Sequence, residues 1–260
     1  MPLIDVGDCE LHVQVEGPER APVLMLSNSL GTTLEMWDPQ VQALTKDYRL
    51  VRFDRRGHGR SGVPNGPYSM ERLGRDVLAI MDVLAIREAS WCGLSMGGME
   101  GMWLGANAGD RFNKIILSNT SCHYANKDFW NDRIKLIRAS GGLGPLRLTE
   151  AWFTREFRAR EPAIVERLKN GLIATPVEGY IACGEAVRDM DHRNILAQIT
   201  APTLVIVGRH DPATTPEAGE FIHSRIPNAS LAVIDAAHIS NVEQPTQFTD
   251  AVLGFLARPR

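Results

Sequence analysis

Cysteine is scarce in this sequence, positive charge is not in excess, and no long apolar run occurs. The four cysteines, Cys9, Cys92, Cys122 and Cys183, are widely separated with no C-x-x-C pair. That spacing argues against a zinc knuckle or a disulfide framework and leaves reduced thiols as the expectation. Lys and Arg number 28 against 31 Asp and Glu, a net charge of −3. Without a basic excess to hold a phosphate backbone, nucleic acid is not expected as a partner. Nowhere do about 18 consecutive apolar residues occur, so no membrane span is expected. The opening residues Met1-Pro2-Leu3-Ile4-Asp5-Val6 lack the basic stretch and apolar core of a secretory signal, and a cytoplasmic location is the expectation. Internal repeats and low-complexity tracts are likewise missing.

What is present is enough for a large core: 260 residues, 44% of them hydrophobic, bury a sizeable interior. Leu11–Glu16 alternates apolar and polar residues as a half-exposed strand does. Pro22–Leu26 is a denser run fit for a buried strand, and Tyr48–Phe53, Ala89–Cys92, Lys114–Ser118, Thr203–Gly208 and Ser230–Asp235 are further strand candidates. Ser69 can cap a helix whose Leu73, Val77, Ile80, Met81 and Leu84 share one face. A second helix is expected from about Met96 to Gly109, where Gly97, Gly98, Gly101 and Gly105 allow close approach to a sheet. Strands alternating with amphipathic helices predict an α/β fold with a mostly parallel sheet covered on both faces. Between Ser121 and Met190 the texture turns helical, notably over Trp130–Arg138 and Pro162–Leu172. The expected organisation is a core of residues 1–120 and 191–260 with a helical cap inserted over 121–190. Eleven Lys and Arg against nine Asp and Glu make that insertion +2 and the remainder −5, a small bias toward an anionic ligand.

The most specific motif is Gly93-Leu94-Ser95-Met96-Gly97, between an apolar strand and a glycine-rich helix. It reads as a serine nucleophile on a sharp turn, a position too cramped for side chains at the flanking glycines. A serine hydroxyl is a poor nucleophile near neutral pH, so it needs a base, an acid orienting that base, and donors for the oxyanion. In α/β-hydrolases these follow in chain order nucleophile, acid, histidine. Asp211, directly after the strand Thr203–Gly208, is the expected acid, with Asp235 its rival. His238, after the last strand, is the expected base. His12, His58, His123, His192 and His223 fit less well, and His210 adjoins Asp211 on one turn. The oxyanion donors are expected to be the backbone N–H groups of Met96, at the helix's positive end, and Leu30, in Ser27-Asn28-Ser29-Leu30-Gly31.

On these residues the chain resembles the α/β-hydrolase superfamily over essentially its whole length. More narrowly, Leu26–Thr32 with Trp37, Asp54-Arg55-Arg56-Gly57-His58-Gly59-Arg60-Ser61, Cys92–Gly98, Ser118-Asn119-Thr120 and Trp130-Asn131-Asp132-Arg133-Ile134 look like 3-oxoadipate enol-lactonases. Asn28-Ser29 replaces the His-Gly common elsewhere in the superfamily and is typical of that group. The resemblance implies an eight-stranded sheet and hydrolysis of a five-membered enol-lactone to 3-oxoadipate in the β-ketoadipate pathway of aromatic catabolism, with no metal or organic cofactor. A small anionic lactone carries a carboxylate whose burial needs a cation. Arg133 is the first choice for it, ahead of Arg138 and Lys135, with Trp130 and Trp37 lining the apolar part of the pocket. Ser95 excludes the relatives that use an aspartate nucleophile. A carboxylesterase, a carbon–carbon bond hydrolase and a weakly catalytic ligand sensor stay open as alternatives, because fold and triad do not choose among them.

Overall fold

The computed structural model describes residues 3–259; Met1 and Pro2 of the opening segment and Arg260 lie outside the described residues. Eight strands form one sheet: β1 (Leu3–Asp5), β2 (Glu10–Glu16), β3 (Val23–Ser27), β4 (Arg49–Phe53), β5 (Ala89–Leu94), β6 (Phe112–Ser118), β7 (Thr203–Gly208) and β8 (Ala229–Ile234). Their spatial order is β1-β2-β4-β3-β5-β6-β7-β8. The β1–β2 and β2–β4 pairs are antiparallel, and every later pair is parallel. Central strands buried on both faces read as continuous apolar runs; every residue of β5 and of β7 is buried. The alternation expected over Leu11–Glu16 is not kept in β2: Leu11, His12 and Val13 are buried in succession and Val15 is exposed, because the Ser61 hydroxyl and the Asp54 carboxylate cover His12.

The helices in chain order are α1 (Asp38–Leu44), α2 (Met70–Val83), α3 (Met96–Asn107), α4 (Lys127–Ser140), α5 (Thr149–Trp152), α6 (Arg155–Arg160), α7 (Pro162–Ala174), α8 (Val177–Asp189), α9 (Pro216–Arg225), α10 (Ser240–Glu243) and α11 (Pro245–Leu256). The Ser69 hydroxyl accepts from the Arg72 N–H, as the sequence predicts for the start of α2. In α3 the glycines permit contact with the sheet: a Cβ on Gly97 would lie 2.3 Å from the Ser27 carbonyl oxygen, and one on Gly101 2.4 Å from the Trp91 indole nitrogen. Between β6 and β7 the chain leaves the sheet for α4 to α8, entering and leaving beside a bridge of His123 to Asp191. All four cysteines are free and buried. No helix among the described residues is long and apolar enough to cross a membrane.

In an open parallel sheet, ligands bind outside the carboxyl ends of the strands. The turns after β3, β5, β6, β7 and β8 open at that edge, and they carry Leu30, Ser95, Asn119, Asp211 and His238.

Candidate active site

Ser95 sits between β5 and α3 at φ 58°, ψ −114°, a conformation rarely adopted by residues with side chains and one the surroundings must hold. Its N–H donates to the Ser118 carbonyl (2.8 Å), and its own carbonyl accepts from Thr120 Oγ1 (2.7 Å). A Cβ on Gly93 would come within 2.0 Å of the Gly97 carbonyl oxygen, which is why the turn demands glycine. Ser95 is 7% exposed.

Asp211 and His238 meet behind it. His238 Nδ1 lies 2.8 Å from Asp211 Oδ2, so the opposite ring nitrogen, Nε2, is the one available to the serine. Asp211 is held by further donors: Thr214 Oγ1 (2.7 Å) and Asn119 Nδ2 (3.0 Å) on Oδ2, and the Ala213 and Thr214 N–H groups (2.8 and 3.0 Å) on Oδ1. Burial by itself would raise this carboxyl, but the His238 charge and the hydrogen bonds from His238 and Thr214 outweigh it and lower the pKa to about 2. A carboxylate depressed in this way contributes stability in full above about pH 4, its unfolded range, and loses it as pH falls toward 2. Urea unfolding of the parent and Asp211→Asn proteins should therefore show a stability gap that narrows over this interval. A gap independent of pH would contradict the linkage.

Ser95 and His238 line one cavity of about 150 Å³, the size of a small metabolite. No direct hydrogen bond joins their side chains. Such bonds are commonly loose without substrate and tighten when it binds. The Met96 and Leu30 N–H groups have no protein acceptor among the described residues, and both residues belong to the cavity wall.

The other expected residues divide. Arg133 and Trp130 line the cavity. Trp37 does not: it is fully buried in the core against Phe248, ring centroids 5.9 Å apart, and this corrects the expectation that it contacts substrate. Asp235 is taken by His210 Nε2 (2.8 Å) on the surface, so the rival acid is eliminated. Lys135 and Arg138 are exposed, Lys135 beside Asp132 (3.3 Å). Sequence reasoning missed Tyr124, Trp152 and Tyr180 in the cavity wall, and also the role of Asn119. That residue, at φ 43°, ties Asp211 to the Ala237 carbonyl (3.1 Å) through one amide and accepts from Ser240 (2.6 Å). Its place at the carboxyl end of β6 was the available signal.

The helical segment is fastened to the loop that carries His238. The Ile239 N–H donates to the Trp152 carbonyl (2.9 Å), and the buried Glu243 carboxylate accepts from the Ala237 N–H (2.9 Å) as well as from the Thr154 N–H and hydroxyl. Among the described residues no group of three His, Cys, Asp or Glu could hold a metal ion.

Residues 22–140 match the model for the alpha/beta hydrolase fold. The chain is 42% identical to 3-oxoadipate enol-lactonase 2 of Acinetobacter baylyi, over 96% of this chain and 94% of that protein. It is 41% identical to enol-lactonase 1 of the same organism, over 95% and 92% respectively. The crystal structure of the enol-lactonase from Burkholderia xenovorans LB400 superposes with a TM-score of 0.96 at 41% identity, covering 99% of this chain and all of that one. An eight-stranded sheet, a strained serine turn and whole-length relatives of this identity lead to one placement: the chain belongs to the α/β-hydrolase family and is closely related to its 3-oxoadipate enol-lactonases.

Proposed function

We propose that this protein is a serine hydrolase that opens 3-oxoadipate enol-lactone to 3-oxoadipate, in the β-ketoadipate pathway, through an acyl-enzyme at Ser95. His238 Nε2 takes the Ser95 proton as Oγ attacks the lactone carbonyl, and Asp211 orients the imidazole and stabilises its charged form. The Met96 and Leu30 N–H groups receive the oxyanion. Collapse breaks the ring C–O bond, and the enol oxygen leaves with the proton from His238 while still tethered to the acyl group. An enolate leaves more readily than an alkoxide, so this step demands less of His238 than amide cleavage does. Water, deprotonated by His238, then adds to the ester and regenerates Ser95. The helices over 121–190 act as a cap that encloses the substrate.

The observation that carries the choice of an anionic lactone is the state of Arg133. Its guanidinium stands 4.6 Å from the Phe129 ring centroid and 4.8 Å from that of Trp130, with Nη1 3.4 Å from the Tyr180 hydroxyl. It has no acidic partner among the described residues. Aromatic faces hold a guanidinium in place without neutralising it, which leaves its charge for a ligand. Burial raises the Tyr180 hydroxyl above its usual pKa, keeping it a donor. These groups together suit a carboxylate.

Arg133→Leu should raise KM for the anionic lactone about 10–100-fold, the worth of a charge-assisted hydrogen bond, and change KM for a short neutral ester by less than about 3-fold. Steady-state kinetics on both substrates checks this. Equal effects on the two would remove Arg133 from substrate recognition, and preferred turnover of a vinylogous ring-cleavage acid over the enol-lactone would overturn the substrate.

A further inference from the structure

The loop after β3 is gripped from beneath by groups that the reaction scheme does not use. Arg55 is 2% exposed. Its guanidinium donates to Glu100 Oε1 (2.9 Å), to the Ser29 carbonyl (3.1 Å), and to the Asn28 carbonyl and Ser27 Oγ (2.7 and 3.1 Å). Glu100, on α3 and 1% exposed, accepts from Ser27 Oγ with its other oxygen (2.5 Å). Thr32 Oγ1 supports the Ser29 carbonyl (2.8 Å), and the Gly97 N–H supports that of Asn28 (3.1 Å). Two residues beyond Ser29, the Gly31 N–H donates to Nε2 of the fully buried His58 (3.0 Å). Burial and the Arg55 charge lower His58 to about 3, so it stays neutral and an acceptor there.

A trans peptide unit points its C=O and N–H in opposite directions. The Ser29 carbonyl and the Leu30 N–H belong to one such unit, so a guanidinium that fixes the first also fixes the second. With the Ser29 oxygen turned down to Arg55, the Leu30 N–H is turned up toward the cavity that holds Ser95. A buried ion pair gives little stability beyond what an apolar pair of equal volume gives. The hold on two successive carbonyls of the loop and on the last side chain of β3 is what sets this pair apart.

We propose that Arg55, neutralised by Glu100, is a positioning residue for the reaction: by holding the Asn28 and Ser29 carbonyls it aims the Leu30 N–H at the oxyanion formed on Ser95. This rests on the serine-hydrolase reading but not on which ester is the natural substrate.

The test uses phenyl acetate and two inhibitors: a trifluoromethyl ketone, which adds to the serine as an oxyanion, and the corresponding alcohol, which fills the cavity without one. In an Arg55→Met, Glu100→Met double variant, kcat/KM should fall about 10–100-fold, the scale of a misaimed oxyanion donor. The inhibition constant of the ketone should rise by the same factor, and that of the alcohol should stay within about 3-fold. Arg55→Lys keeps the charge beside Glu100 but not the fork across both carbonyls. It should show an intermediate loss with the same ketone-to-alcohol disparity, and it carries the test if the double variant does not fold. Unchanged kcat/KM and ketone affinity in a folded variant, or equal weakening of ketone and alcohol, would overturn the proposal.

Discussion

Ser95→Ala should lower kcat on the enol-lactone by about 10⁶-fold, the scale lost when a triad nucleophile is removed from a serine hydrolase. The Ser95 side chain has no hydrogen-bond partner among the described residues, and the turn is held through backbone N–H and C=O groups by Ser118 and Thr120. Removing the hydroxyl therefore takes away the nucleophile and little else. Thermal unfolding should stay close to that of the parent. The variant should still bind the lactone, because Arg133 and the aromatic wall are intact. The oxyanion donors also survive, so a small residual rate above that in water is expected. A variant that opens the ring at the parent rate would mean direct attack by water, with no covalent intermediate. Loss of ultraviolet absorbance by the enol-lactone gives the rate.

Asp211→Asn is the second large effect, with kcat falling about 10³–10⁴-fold. Both carboxylate oxygens of Asp211 only accept, from three side-chain donors on Oδ2 and two backbone N–H groups on Oδ1. An amide has one acceptor end. Whichever way it turns, its NH₂ group faces donors, and when that end faces His238 the imidazole must place its proton on Nε2. The ring is then no longer a base toward Ser95. The loss should fall on kcat more than on KM, since Asp211 lies behind His238 rather than in the cavity wall. Loss confined to KM would contradict the orienting role.

Much of this was legible in the sequence for identifiable reasons. Strands β3 to β7 are largely apolar runs bounded by polar turns, and a buried parallel sheet leaves that mark. Strand β1 escaped because Leu3–Asp5 is three residues long, too short for any period. Helix α8 escaped for a different reason. Its buried residues, Gly179 to Gly184 with Ala186 and Val187, run nearly all round, so it lacks an amphipathic stripe, and Gly179 approaches the Gly57 backbone so closely that a Cβ would lie 2.2 Å from its carbonyl oxygen. Composition records small residues there but not the neighbour that requires them. The loss mattered, because α8 brings Tyr180 to the cavity.

The cations of α4 show what helical geometry adds. Lys135 and Arg138 lie two and five residues beyond Arg133, roughly 200° and 140° around the axis. They point away from the cavity that Arg133 enters. Trp37 and Trp130 were alike as letters, yet one packs on Phe248 in the core and the other on the ligand side of α4. Direction of a side chain comes from tertiary packing, which no local pattern encodes. The choice between Asp211 and Asp235 was likewise decided by contacts across the sheet edge, His238 for one and His210 for the other. Least legible was the Arg55–Glu100 pair: its members are 45 residues apart, and each alone reads as an ordinary charge.

Active-site titration with a fluorophosphonate bears most directly on whether the lactone is opened at Ser95 in this cavity. Enol-lactone turnover should fall linearly to zero at one equivalent of label, the adduct should map to the peptide containing Ser95, and added lactone should slow the labelling. Turnover that persists in fully labelled protein, or an adduct on another residue, would contradict the mechanism.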